Sequence, residues 1–273
     1  MVERIACFLT CGYTEAGAMQ FFLRKLNDRY EYKQYLPNKT IKKKGDPKSI
    51  SKEISGLTGD ALLEKIYNIL EKNREEISAC KAVLIEDDLD GKFHDYNDGQ
   101  IAEYKDQIIA EVHSRLQKDI PVWILYASPE VESWFLADWK NGFEYLYCDS
   151  GVVTDIERGA KQYFSYHLKQ YINQYVLKQY SENIEEFGWF QEKYVKLSDV
   201  LINAVQTEVK TYICEWKDRN ESYADQIKNS RDLYYSKKLH GDRMLRNIQP
   251  QVVAEKCRKY FRDTYNEILY AEL

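Results

Sequence analysis

The chain has no run of about 18 apolar residues, the length that a bilayer crossing needs, and its opening stretch MVERIACFLTCGYTE carries neither a basic flank nor a small-residue cleavage site. Neither a membrane span nor a secretory signal is expected, which makes a cytoplasmic protein without a membrane partner the expectation. Cysteine is sparse and scattered. Cys7, Cys11, Cys80, Cys148, Cys214 and Cys257 form no CxxC pair and have no histidine at zinc-finger spacing, so buried free thiols are expected. Also missing are a Gly-rich phosphate loop, a GxSxG elbow and an HExxH helix, which withdraws support from an ATPase, a serine hydrolase and a zinc protease. Nor is there an excess of positive charge: the formal net charge is -5, which argues against coating nucleic acid by bulk electrostatics and leaves room only for a local basic patch.

What is present is 273 residues, 44% hydrophobic and 30% charged, enough for one large domain or two ordinary ones with their own cores. The 23 tyrosines fall mostly after Gly142 at helical spacing, where packing explains them better than base stacking. Arg4 to Thr10 is short and apolar and reads as a buried strand. TEAGAMQFFLRKLNDR follows as a helix behind a Thr14 N-cap candidate. Glu31 to Leu36 reads as a second strand ended by Pro37, and the stretch from Asn38 to Ile54, with Lys42, Lys43, Lys44 and Lys48, as an exposed basic loop. Leu62, Leu63, Ile66, Ile69 and Leu70 predict one amphipathic helix over Asp60 to Ile77. Lys81 to Ile85 is a third strand running into EDDLDG, Gln100 to Gln117 a helix, and Ile120 to Tyr126 a fourth strand leading into ASPEVESWFLAD.

Strands alternating with helices at this spacing predict an α/β fold, a mostly parallel four-stranded sheet flanked by helices. After about Leu146 the pattern turns largely α-helical. The expected division is therefore residues 1–146 as the sheet domain and 147–273 as a helical region, with DLYYSKKLHGDRMLRN as a polar, solvent-facing stretch within it.

Acids collect where strands end. Side chains alternate along a strand, so Asp88 and Asp90 are expected on one side and Asp87 on the other. Ligands of open parallel sheets bind outside the carboxyl ends of the strands. Carboxylates gathered there disfavour each other's ionisation unless a cation intervenes, and Mg2+ (or Mn2+) suits such oxygens. The plain alternative is a solvated turn whose acids cap the next segment. Glu15 after the first strand, in a first helical turn where the dipole favours a carboxylate, and Glu130 and Glu132 after the fourth bring acids to the same edge.

The order T-C-G-Y-T-E (Thr10 to Glu15), D-L-D-G (Asp88 to Gly91) and S-P-E-V-E-S-W-F-L-A-D (Ser128 to Asp138) resembles the Toprim fold of topoisomerases, primases and overcoming-lysogenization nucleases. More narrowly, it is similar to an uncharacterised Toprim-like family of bacterial phage-defence and abortive-infection loci, often encoded beside an ATPase. Y-S-K-K-L-H-G-D-R from Tyr235 and the run from Ile248 to Phe261 look like that family's C-terminal pattern, so the resemblance covers about residues 1–140 and 232–262, with 147–231 as an insertion. It implies a Mg2+-dependent nuclease acting on DNA or RNA as the effector of a defence system, with Glu15, Asp88 and Asp90 as metal ligands and Glu132 as a further catalytic acid. Lys237, Lys238, His240 and Arg243, with Arg246, form a basic cluster that would meet a phosphate backbone. Cys11 stands where the family's first motif has glutamate, and a soft thiol is a poor magnesium ligand. That departure motivates the alternative of a catalytically lapsed Toprim-like protein that binds nucleic acid or a partner ATPase. A helical interaction protein, and a homo-oligomer, are compatible with either.

His94, four residues after Asp90, has a general-acid reading, against which a plain surface histidine weighs more. His113 and His167 are expected to pack on helices, and Trp134, Phe135 and Leu136 to form the core that fixes Glu132.

Overall fold

The computed structural model describes residues 3–10, 12, 14–37, 57–149, 155–174, 178–180, 182–190, 193–230 and 233–273. The lysines of the basic loop, Lys42 to Lys44 and Lys48, and Cys11 lie outside the described residues. Four strands, β1 (Glu3–Phe8), β2 (Tyr30–Leu36), β3 (Ala82–Asp88) and β4 (Val122–Ala127), form one sheet in the order β2-β1-β3-β4, with every neighbouring pair parallel. The α/β expectation holds, as does the helical second half. Helices α1 (Glu15–Leu26), α2 (Gly59–Lys72), α3 (Arg74–Ser78), α4 (Asp98–Leu116) and α5 (Glu132–Ala137) connect or follow the strands.

The single helix expected over Asp60 to Ile77 is two helices, because Asn73 leaves helical backbone (φ -119, ψ 28) and its side-chain amide donates to the Ile69 carbonyl at 3.0 Å. Such local side-chain bonds compete with continued helix. By contrast α4 starts on a full capping box, in which Asn97 Oδ1 accepts from the Gln100 N–H at 2.9 Å and Gln100 Oε1 accepts from the Asn97 N–H at 3.0 Å.

Alternation along the strands sends residues to two buried layers. Ile5, Cys7, Ala82, Leu84, Trp123 and Leu125 face α1, α5 and the C-terminal helices, while Ala6, Phe8, Val83, Ile85 and Ile124 face α2 and α4. Both faces being covered explains why the strands read as continuous apolar runs. The expected free thiols at Cys7, Cys80 and Cys257 are buried, and Cys214 is exposed.

The second half continues through α6 (Asp155–Ile172), a short α7 (Lys178–Tyr180), a two-stranded hairpin of β5 (Trp189–Phe190) and β6 (Lys193–Tyr194), α8 (Leu197–Lys217) and α9 (Glu221–Asn229). It ends in α10 (Asp242–Asn247), α11 (Pro250–Lys256) and α12 (Phe261–Tyr270). Its apolar residues join the α1 side of the sheet. Trp134, fully buried on α5, stacks on Phe22 of α1 at 5.1 Å and meets Phe261 of α12 edge-on at 5.0 Å. The stretch DLYYSKKLHGDRMLRN is not the solvent-facing segment its polarity suggested: Met244 and Leu245 are buried, and α10 lies on α1. Lys25 of α1 holds it there, its ammonium donating to the carbonyls of Arg246 (2.6 Å), Asn247 (3.1 Å) and Ile248 (3.0 Å) at the C-terminus of α10. Those carbonyls have no partner within their own helix, which is why a cation suits the position.

One buried acid ties the middle of the chain to its end. Glu185 accepts from the N–H groups of Lys259 (2.5 Å), Tyr260 (3.0 Å) and Phe261 (2.9 Å) at the start of α12, while its own carbonyl accepts from Ser128 Oγ at 2.8 Å. Burial, the largest influence, outweighs these donors and raises its carboxyl from 4.5 to about 7. A proton held more tightly in the folded than in the unfolded chain stabilises fully at acid pH, and that contribution declines as pH rises from the ordinary carboxylate range through about 7. Urea denaturation near pH 5 and near pH 8 is expected to show wild type losing of the order of 3 kcal/mol more over that interval than Glu185→Gln. Parallel losses in the two proteins would contradict the assignment.

Candidate functional site

The carboxyl end of the sheet gathers acids from three places in the chain, and strand parity decides which. In β3, Glu86 and Asp88 share the face of Ala82 and Leu84, toward α1 and α5, whereas Asp87 points the other way, toward α2. Asp87 there accepts from the Gly59 N–H through both oxygens at 3.0 Å, at the first turn of α2, and burial raises its carboxyl to about 7. Its role is to fasten a helix.

Glu86 is fully buried. Its Oε2 accepts from the Thr10 N–H at 2.9 Å, just past β1, and among the described residues its Oε1 has no hydrogen-bond partner. Burial first, and then the charge of Glu15, push its carboxyl well above the usual range. Asp88 accepts from the Val131 N–H at 3.1 Å, and burial followed by Glu15 and Glu86 raises it as well. Glu15 lies buried in the first turn of α1. Its carboxylate folds back over Gly12, where a Cβ would stand 2.1 Å from Oε2, so that a larger residue there would push the carboxylate aside. Burial, with the nearby Glu132 and Glu130, raises Glu15 to about 7, against the lowering effect of its own backbone N–H and of Lys237.

Glu130, three residues past β4, and Glu132, the first residue of α5, are both buried and share one cation. Lys237 Nζ lies 2.6 Å from Glu130 Oε2 and 3.1 Å from Glu132 Oε2. Ser198 donates its N–H (3.2 Å) and hydroxyl (2.9 Å) to Glu130, and the Tyr235 hydroxyl donates to Glu132 at 2.8 Å. Burial alone would raise Glu130, yet the charge and hydrogen bond of Lys237 together with Ser198 bring it below its ordinary value, while Glu132, more deeply buried, stays raised. For Lys237 burial is the largest single influence and pulls downward. Glu132, Glu130 and Asp88 outweigh it and hold the ammonium charged.

The expected pairing of Asp90 with Asp88 is not what the fold delivers. The strand stops at Asp88, and Asp90 takes left-handed backbone (φ 45) ahead of Gly91 (φ 79), placing its carboxylate 3.0 Å from Lys196 Nζ, partly exposed. The residue that shares Asp88's face is Glu86, which the sequence reading passed over. Its signal was present, since an acid two residues before Asp88 keeps the same side as long as the strand continues.

The expected phosphate-contacting cluster is divided. Lys237 is turned onto the acids. His240 is buried, its Nδ1 accepting from the Ser236 N–H at 3.1 Å, and Arg246 is engaged by Asp242, the Gly17 carbonyl and the ring of Phe21. Lys238 and Arg243 are exposed. The turn Lys237–Gly241 sits against the start of α1, where a Cβ on Gly241 would stand 2.3 Å from Thr14 Oγ1. His94 stacks on Trp189 at 4.0 Å, His113 bonds the Ile120 carbonyl at 2.8 Å, and His167 stacks on Tyr163 at 4.0 Å, so each is accounted for by packing.

In kind, the donors fit a hard divalent cation: they are carboxylate oxygens, and Glu86 Oε1 has no hydrogen-bond partner among the described residues. Among the described residues, no three His, Cys, Asp or Glu side chains already stand close enough to form a finished metal centre. No helix among the described residues is long and apolar enough to cross a membrane. No protein-family model, no curated protein and no solved structure matches the chain.

Because Glu86 is repelled by Glu15 and Asp87 and lacks a full set of donors, Glu86→Gln is expected to stabilise the metal-free protein near pH 8 by about 1–2 kcal/mol, as neutralised functional acids often do. Thermal melts in a chelating buffer measure it. A variant melting several degrees below wild type would show that the carboxylate is structurally required.

Proposed function

We propose that the chain is a divalent-metal-dependent phosphodiester hydrolase acting on DNA or RNA, a Toprim-like effector of bacterial anti-phage defence. One observation supports this reading: Glu15 and Glu86 are buried, Asp88 stands half-buried at the same strand end, and the charge of Glu15 raises the proton affinity of both Glu86 and Asp88. Acids gathered in this way are suited to a cation, which would relieve their repulsion. Glu15, Glu86 and Asp88 would hold Mg2+ or Mn2+, with Asp90 at the rim. The bound ion would lower the pKa of a water and neutralise charge on the phosphate. Glu132, fixed by Tyr235 and Lys237, orients the inner edge of the site. Lys238 and Arg243, on the exposed side of the same C-terminal segment, position the nucleic-acid backbone. A cytoplasmic location and an ATPase partner accompany this reading.

Lys237 favours a second reading. An ammonium already seated on two of the acids suits a lapsed site that binds nucleic acid or an ATPase without cutting it.

Supercoiled plasmid and tRNA incubated with the purified chain and Mn2+ or Mg2+ separate the two. Metal-dependent nicking is expected, with Asp88→Asn and Glu15→Gln each lowering its rate by at least about 100-fold, as loss of a charge-stabilising group does. Gel-shift binding without cleavage under either metal would support the second reading, and cleavage unchanged in Asp88→Asn would remove the first.

A further inference from the structure

Five acids meet at the carboxyl end of this sheet, yet they are not equivalent. Glu15 lies near enough to Glu86 and Asp88 to raise both, and among the described residues none of the three has an ion-pair partner and Glu86 Oε1 has no hydrogen-bond partner. Glu130 and Glu132 are served differently. Their side chains are 2% and 0% exposed; Ser198 and Lys237 serve Glu130, Tyr235 donates to Glu132 Oε1, and Glu132 Oε2, which has no hydrogen bond among the described residues, lies 3.1 Å from the ammonium of Lys237. Lys237 bridges Glu130 Oε2 and Glu132 Oε2 at 2.6 and 3.1 Å, as a coordinated cation bridges two carboxylates, while 36% of its side chain remains open to solvent. It therefore reaches in from the surface and seals a carboxylate pair that would otherwise face water.

We propose that Lys237 stands, with its own ammonium, in the place of a second divalent cation, so that the site takes up a single ion at Glu15, Glu86 and Asp88 and is closed to another at Glu130 and Glu132. This rests on the metal-dependent reading above and specifies its stoichiometry.

The physical reason is one of competition at fixed distance. An ammonium tethered to the chain meets Glu130 and Glu132 at an effective concentration that a dissolved cation cannot match, and a hydrated Mg2+ would have to displace it and also shed water. The tether is itself held firmly. The turn from Lys237 to Gly241 is pressed on Thr14 at the start of α1, and Lys25 fixes the far end of the adjoining helix α10. Thr14 is next to Glu15, so the segment that supplies the lysine also packs beside the first ion's expected ligand. Removing the ammonium leaves two buried carboxylates facing an opened path to solvent, an arrangement that strongly favours uptake of a cation.

Mn2+ titration of the full chain, by isothermal calorimetry and by the loss of the free-ion electron paramagnetic resonance signal, tests the proposal without reference to activity. Wild type is expected to bind a single Mn2+ per chain, Lys237→Met to bind a second, and Lys237→Met combined with Glu130→Gln to return to one. Far-UV circular dichroism checks folding, and Lys237→Gln, which keeps a hydrogen-bond donor but no charge, serves if the methionine variant does not fold. A second ion in wild type, or an unchanged single ion in the folded Lys237 variants, would overturn this inference while leaving the metal-dependent reading intact. Failure of wild type to bind Mn2+ at all would overturn that reading itself.

Discussion

Carboxylates buried beside one another raise the free energy of a fold unless a cation or a proton joins them, and the carboxyl end of this sheet is organised around that constraint. The chain answers it in two ways within a short space. At Glu130 and Glu132 it provides a lysine from more than 100 residues away in sequence (Lys237 lies 107 residues beyond Glu130). At Glu15, Glu86 and Asp88 no lysine or arginine forms an ion pair among the described residues, and burial with neighbouring acids raises their proton affinities against the more distant charge of Lys237.

The rest of the fold keeps these groups in place. Thr10, just beyond β1, fixes one oxygen of Glu86 and so ties the first strand's exit to the third strand's end. Trp134, between Phe22 and Phe261, locks α5 against α1 and α12, which sets the positions of Glu132 and Glu15 relative to each other. Large aromatic surfaces buried in contact are suited to this because their packing tolerates little displacement. The segment between the two halves contributes as well, since Glu185 anchors the start of α12 and Ser198 serves Glu130. Neither residue belongs to a recognisable motif, yet both support the acidic edge.

Several features were legible in the residue pattern because they depend on local chemistry. Apolar runs marked β1, β3 and β4, alternation stopped by Pro37 marked β2, and the apolar stripe Ile101, Ile108, Val112 and Leu116 marked α4. The acids at strand ends were visible for the same reason. Glu86 was missed because the apolar run ends at Ile85, although strand alternation, already carried as far as Asp90, puts it on Asp88's side; the residue pattern does not show how far the strand runs. It continues because Glu86, Asp87 and Asp88 pair with Leu125, Tyr126 and Ala127 of β4. Likewise the polar, basic run around Lys237 looked solvated, and the burial of part of it follows from contacts with the start of α1 and with the segment after β4, both remote in sequence.

By itself, then, the sequence determined the alternation of strands and helices, the α/β class, and which strand ends carry acids, since these follow from periodicity and turn chemistry over a few residues. Tertiary structure alone decided that Glu86 rather than Asp90 stands with Asp88, and that Lys237 belongs to the acids rather than to the surface. The reason is physical. Strand length is set by pairing with a neighbour, and the state of a charged side chain is set by which distant groups share its low-dielectric surroundings.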